Sequence, residues 1–206
     1  MKTNQNRTNS LQRSLRLCLY VLFFAFASCK SCKKELTTAD LIAQLPPETQ
    51  TGANTFGCLI DGVPFVPTGT GSFTYPDYPV IGGYRNPLPP IYYNRTNVDI
   101  SARKPYTNIS LYLRNVNQVG TYNLNFNTLP IPNTLYPQNH GLYATFGNAM
   151  PETEYITTSV YTGQVEVTKA DTTNGIVSGR FSFKAVNKAS GKTVEITNGR
   201  FDMGEQ

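Results

Sequence analysis

Gly163-Gln164-Val165-Glu166-Val167-Thr168, then Val177-Ser178-Gly179-Arg180-Phe181-Ser182-Phe183-Lys184-Ala185, then Val194-Glu195-Ile196-Thr197-Asn198-Gly199-Arg200-Phe201-Asp202-Met203 is the stretch that decides the fold. Apolar and polar residues alternate with a period of two, which puts Val165, Val167, Val177, Phe181, Phe183 and Ala185 on one face of a sheet and Glu166, Arg180, Ser182 and Lys184 on the other. Between the runs lie Asp171-Thr172-Thr173-Asn174-Gly175 and Asn187-Lys188-Ala189-Ser190-Gly191, residues that favour turns. The spacing predicts three consecutive antiparallel strands. In the last of them Val194 and Ile196 share one parity and Phe201 and Met203 the other. One inserted residue at Asn198-Gly199, a β-bulge, would restore all four to the same face.

Working back along the chain, the same period recurs. Phe56, Cys58 and Ile60 lead to Asp61-Gly62 and Val63-Pro64-Phe65-Val66. An Asp-Gly pair between apolar runs is a strong hairpin signal, because both central residues of a type I′ turn need φ above zero. Further inward faces are expected from Val98, Ile100 and Ala102; from Ile109, Leu111 and Leu113, with Tyr112 outward; from Tyr122, Leu124 and Phe126; from Leu142, Ala144 and Phe146; and from Ile156, Thr158 and Val160. No stretch after residue 50 offers a long helical stripe. The reading is an all-β domain, an antiparallel sandwich or barrel of about ten strands over residues 53–206.

Residues 1–28 read as an export signal. A basic start precedes Leu17–Ala27, eleven residues without charge, too short for a mature membrane span of about 20 residues. Phe26-Ala27-Ser28-Cys29 resembles a lipobox, with small residues before a cysteine and Phe26 standing where Leu is usual. That makes Cys29 the expected lipidation site, preferred over Cys32 because Lys30 would fall inside the latter's motif. Residues 29–52 are then the lipidated cysteine and a tether, with a short helix over 38–45 capped by Thr37 or Thr38 and stopped by Pro46-Pro47. The segment after Cys29 is basic (Lys30, Lys33, Lys34) and lacks an Asp, which favours the periplasmic face of the outer membrane over the cell surface.

Charge excludes one class of function. The chain carries 18 Lys and Arg against 13 Asp and Glu, but four of the cations precede Cys29, so the remainder is close to neutral and offers no footprint for nucleic acid. With 15% charged and 12% aromatic residues it is also too apolar for disorder. One His and four Cys supply little for a metal centre, and no cofactor is expected.

Leu45-Pro46-Pro47-Glu48-Thr49-Gln50-Thr51-Gly52-Ala53-Asn54-Thr55-Phe56-Gly57-Cys58-Leu59-Ile60-Asp61-Gly62 resembles the opening of an uncharacterised lipoprotein family of Bacteroidota. Gly179–Phe183 and Gly191–Asp202 resemble that family's end. The resemblance implies an exported, lipidated β-domain and supplies no catalytic residue.

Candidate site residues are few. His140 lies between Pro137 and a strand with neither a nucleophile nor an orienting carboxylate identifiable beside it. The acids are scattered singly. Asp171–Gly175 lacks the alternating ligands of a calcium loop and reads as a turn, although Asp171-Thr172-Thr173 resembles a Bacteroidota O-glycosylation motif. Asn94-Arg95-Thr96 and Asn108-Ile109-Ser110 are acceptors only for a eukaryotic apparatus. Cys58 fits a small buried hydrophobe, with a bridge to Cys32 as the alternative. The most unusual stretch is 73–93, where Tyr75, Tyr78, Tyr84, Tyr92 and Tyr93 are interleaved with prolines. Stiff extended backbone carrying flat amphipathic rings suits a contact surface for a glycan or an envelope protein, or else a loop folded over the core. The expected function is a non-catalytic binding or structural module on the membrane. The alternatives are a carboxylate-dependent glycan or peptidoglycan hydrolase, and a carrier of a small apolar ligand.

Overall fold

The computed structural model describes residues 36–69, 77–84, 96–130, 133–134, 137–147 and 151–205. Among them are a short helix, α1 (Thr38–Ile42), and eleven strands: β1 (Thr55–Ile60), β2 (Val63–Phe65), β3 (Val80–Tyr84), β4 (Val98–Lys104), β5 (Thr107–Leu113), β6 (Gly120–Asn123), β7 (His140–Phe146), β8 (Pro151–Ile156), β9 (Gly163–Asp171), β10 (Ile176–Val186) and β11 (Thr193–Met203). All pair antiparallel, in the order β2-β1-β11-β10-β8-β7-β5-β4-β3, with β9 also on β10 and β6 on β9.

Strand β10 is where the sheet curls. Over Ile176–Phe183 its free edge is taken by β9, and only its last residue, Val186, pairs with Ile156 of β8. The two halves close on one core. Phe56, Cys58, Val98, Ile100, Ala102, Ile109, Leu111, Leu113, Val165, Val167, Phe181, Phe183, Ile196 and Phe201 form a single buried cluster. The parity written into the C-terminal strands is the parity observed.

The turns follow their residues. Asp61 and Gly62 have φ of 46° and 81°, and Ile60 pairs with Val63 across them, a two-residue hairpin. In β11 the register advances three residues against two on both neighbours, from Thr197 to Arg200 opposite β1 and from Ile196 to Gly199 opposite β10. Asn198, with φ of 52°, is the extra residue that returns Phe201 and Met203 to the core.

Three expectations fail locally. Ile109 pairs with Tyr143 and Leu111 with Gly141, so the core face of β7 is Gly141 and Tyr143 rather than Leu142, Ala144 and Phe146. Glycine leaves no apolar mark on a pattern: a Cβ at Gly141 would lie 2.8 Å from the Phe183 ring, which fills that place in the core. Leu142, Ala144 and Ile156 are buried on the outer face instead, and so is Tyr112. Phe126 and Val160 are exposed, because β6 ends at Asn123 and β8 at Ile156, before those residues. Finally, residues 37–53 do not hang free as a spacer. Thr37 caps α1 in a reciprocal capping box with Asp40, α1 packs on β1 and β2, and Pro46 covers Gly57.

Candidate functional site

Strand β11 ends in Phe201-Asp202-Met203, with both apolar side chains in the core and Asp202 on the opposite face. That face is covered by the chain ahead of β1, and Asp202 is 1% exposed. Its Oδ1 accepts from Gly52 N–H (2.9 Å) and the Ser178 hydroxyl (2.7 Å), and its Oδ2 from the Thr49 hydroxyl (2.6 Å), Thr51 N–H (3.0 Å) and Ala53 N–H (3.1 Å). Desolvation raises its pKa, but the combined donors outweigh it and hold the carboxyl at about 2. With its lone pairs turned onto structural donors, Asp202 fastens residues 49–53 to the sheet.

A second carboxylate group lies on the outer face of β9 and β10, in a groove of about 220 Å³. Arg180 bridges Glu48 (2.6 Å) and Glu166 (3.4 Å) there. The Arg180 hydrogen bond holds Glu48 below the usual carboxylate range. A glycosidase also places two acids in a groove, but here the acids are joined through a cation. A general acid in such an enzyme needs the opposite, a raised pKa.

His140 pairs with Tyr112, and the two rings stack at 5.6 Å. The imidazole is buried, its Nδ1 lies 2.8 Å from the Gln138 carbonyl, and burial pushes its pKa down. Asn97 donates to the Tyr112 hydroxyl at 3.1 Å, so this pair forms a covered polar layer outside the core. Beside it on the outer face of β7 and β8 runs a groove of about 470 Å³ with a floor of Leu142, Ile156 and Val186 and a wall including Leu129 and Pro130. Sequence parity misses this groove, since apolar residues on both faces of β7 leave no alternation to read.

Of the tyrosines singled out in the sequence, Tyr75, Tyr92 and Tyr93 lie outside the described residues, as do Cys29 and Cys32. Tyr78 is exposed. Tyr84 turns inward at the end of β3 and packs against the core; its hydroxyl is buried without a hydrogen-bond partner among the described residues, and desolvation pushes its pKa up to about 12. Cys58 is a free, buried thiol whose pKa is driven up by the same cause. In the 171–175 turn the Asp171 carboxylate accepts from Asn174 N–H (3.0 Å) and Nδ2 (2.9 Å), closing a hairpin with Thr172 exposed at its tip. Among the described residues, no cluster of three His, Cys, Asp or Glu side chains could hold a metal ion, and no helix is long and apolar enough to cross a membrane.

Fold and site together define an antiparallel β-domain built around one buried apolar cluster. Residues 91–203, more than half of the chain, match the model of a family described as a domain of unknown function, DUF6252, and the chain belongs to that family. No curated protein and no solved structure matches it.

Proposed function

We propose that this chain is a lipid-anchored protein of the cell envelope, held by acylation of Cys29, with a β-domain that acts as a non-catalytic binding or structural module. The observation that carries the non-catalytic reading is the state of four of the described acids. Asp40, Glu48, Asp171 and Asp202 are each held below the ordinary range by hydrogen bonds to structural partners, the reverse of what a proton donor requires. The large rings of Phe56, Phe181, Phe183 and Phe201 packed against one another in the core argue against a carrier that would keep an apolar ligand inside. The neutral balance beyond Cys29 argues against nucleic acid. The basic stretch after Cys29 favours the periplasmic face of the outer membrane, where a glycan or an envelope protein would be the partner.

Metabolic labelling with a radioactive fatty acid tests the anchor. The expected result is a labelled chain, loss of label in Cys29→Ser and retention in Cys32→Ser. Label persisting in Cys29→Ser overturns the assignment. The purified chain is expected to release no reducing ends from peptidoglycan, and release that disappears in Glu48→Gln or Glu166→Gln would establish the hydrolase instead.

A further inference from the structure

Two turns and a loop converge at one end of the curled sheet. Asp61-Gly62 delivers Val63 to the first position of β2, and Pro105-Tyr106 joins β4 to β5. They are held together by what lies between them. Lys104 Nζ sits 5.2 Å over the Phe65 ring, the Arg103 carbonyl accepts from Thr68 and Gly69 N–H at 3.0 Å each, and Arg103 N–H donates to the Pro79 carbonyl at 2.8 Å. That last bond brings Tyr78 to the same end.

Three large apolar side chains here face solvent: Val63 is 65% exposed, Tyr78 59% and Tyr106 70%. Tyr106 is the informative one. Its φ is 63°, a left-handed conformation that glycine or asparagine adopts freely and that costs a tyrosine on the order of 1 kcal/mol. The turn holds that backbone, with Lys104 paired to Thr107 across it and the Tyr106 carbonyl accepting from Phe146 N–H at 2.9 Å, while the ring itself stays mostly in solvent. Two cations, Arg103 and Lys104, precede it, and with Tyr106, Asn108 and Phe146 they line a groove of about 440 Å³. An amphipathic ring beside the Arg103 cation suits a lipid headgroup region, where the ring sits at the acyl boundary and the guanidinium meets phosphate.

The chain also enters from this end. Residues 49–53 bind Asp202 at the start of β1, Pro46 covers Gly57 further along, and α1 packs on β1 and β2. Followed backwards, the chain therefore climbs β1 towards Asp61-Gly62. Leu36 is only seven positions after Cys29, and a stretch of that length spans at most about 25 Å.

We propose that this end of the domain rests on a phospholipid surface, with Tyr106 and Val63 in the interface and Arg103 against lipid phosphates. The proposal rests on the Cys29 anchor of the proposed function.

The chain contains no tryptophan, so one introduced residue is a unique reporter. Tyr106→Trp keeps an aromatic ring at the tip, and Thr172→Trp places one in the turn between β9 and β10, at the opposite end of the sheet. Each full chain, purified from membranes, is reconstituted into phosphatidylethanolamine–phosphatidylglycerol vesicles with and without brominated acyl chains. The indole of Tyr106→Trp is expected to emit further to the blue and to lose about half its intensity to the bromines, as a ring at the acyl boundary would. The indole of Thr172→Trp stays unquenched. Chains that float with the vesicles while both variants remain equally unquenched overturn the docking and leave the anchor standing. A chain that remains in the aqueous fraction overturns the anchor and the docking with it.

Discussion

Asp202→Asn is expected to lower the stability of the domain by about 3 kcal/mol, read as a fall in the urea midpoint without a change in slope. The carboxylate accepts from three backbone N–H groups and two hydroxyls within 3.1 Å, all in a covered site. An amide keeps the shape but offers one oxygen and turns an NH₂ towards donors that then have no acceptor. Hydrogen bonds to a charged group contribute about 1.5–3 kcal/mol, and a buried donor left unpaired costs about 1–3 kcal/mol. Asp202→Ala should be worse, releasing residues 49–53 altogether. The same carboxylate sets an acid limit. Its folded pKa, about 2, lies below the unfolded value near 3.8, so its contribution is fully present above pH 4 and fades as the pH falls through 2. The shift corresponds to about 2 kcal/mol. Wild type should therefore lose stability between pH 4 and pH 2 in excess of the loss in Asp202→Asn. An unchanged midpoint in the variant, or parallel acid limbs, would show that the 49–53 segment is held by something else.

Nothing in the sequence around Asp202 announces that role. On parity alone it is one more acid on the solvent side of a strand, and its partners Thr49, Thr51 and Ser178 lie 24 to 153 residues away. Burial there is a tertiary fact, created when the leading segment folds across the sheet. The strands themselves are legible because a half-buried sheet writes its geometry every second residue. That alternation puts Val165, Val167, Val177, Phe181, Phe183 and Ala185 in the core, where they lie, and a parity conflict between Ile196 and Phe201 locates the Asn198 bulge. The rule fails where both faces are covered. On β7 the core-facing positions are Gly141 and Tyr143 while Leu142 and Ala144 are buried behind them, so the alternation points the wrong way. His140 and Tyr112 belong to that same second layer. For the candidate contact surface the sequence offers composition only. Tyrosines and prolines together do not say which rings face out, and Tyr84 faces in while Tyr78 faces solvent.

The bulge also has an energetic consequence, seen in the pair Phe181 and Gly199. These residues sit opposite each other on β10 and β11, and the Phe181 ring lies across the glycine. The ring is surrounded: centroids of Phe56, Phe183 and Phe201 stand 5.0, 6.3 and 6.3 Å away. A Cβ on Gly199 would come within 2.6 Å of three ring carbons, and the three neighbouring rings crowd this one. Gly199→Ala is therefore expected to cost about 2 kcal/mol through overpacking. Phe181→Ala removes the ring and should cost about 4 kcal/mol, the transfer of the lost atoms plus the cavity left at the centre of the core. The double variant separates these causes. With the ring gone, the new methyl occupies part of the vacated space, so Gly199→Ala should be neutral or stabilising in the Phe181→Ala background, a coupling of about 2 kcal/mol. Additive losses in equilibrium urea unfolding would mean that Gly199 is required for its backbone at the bulge and not for the room it leaves Phe181.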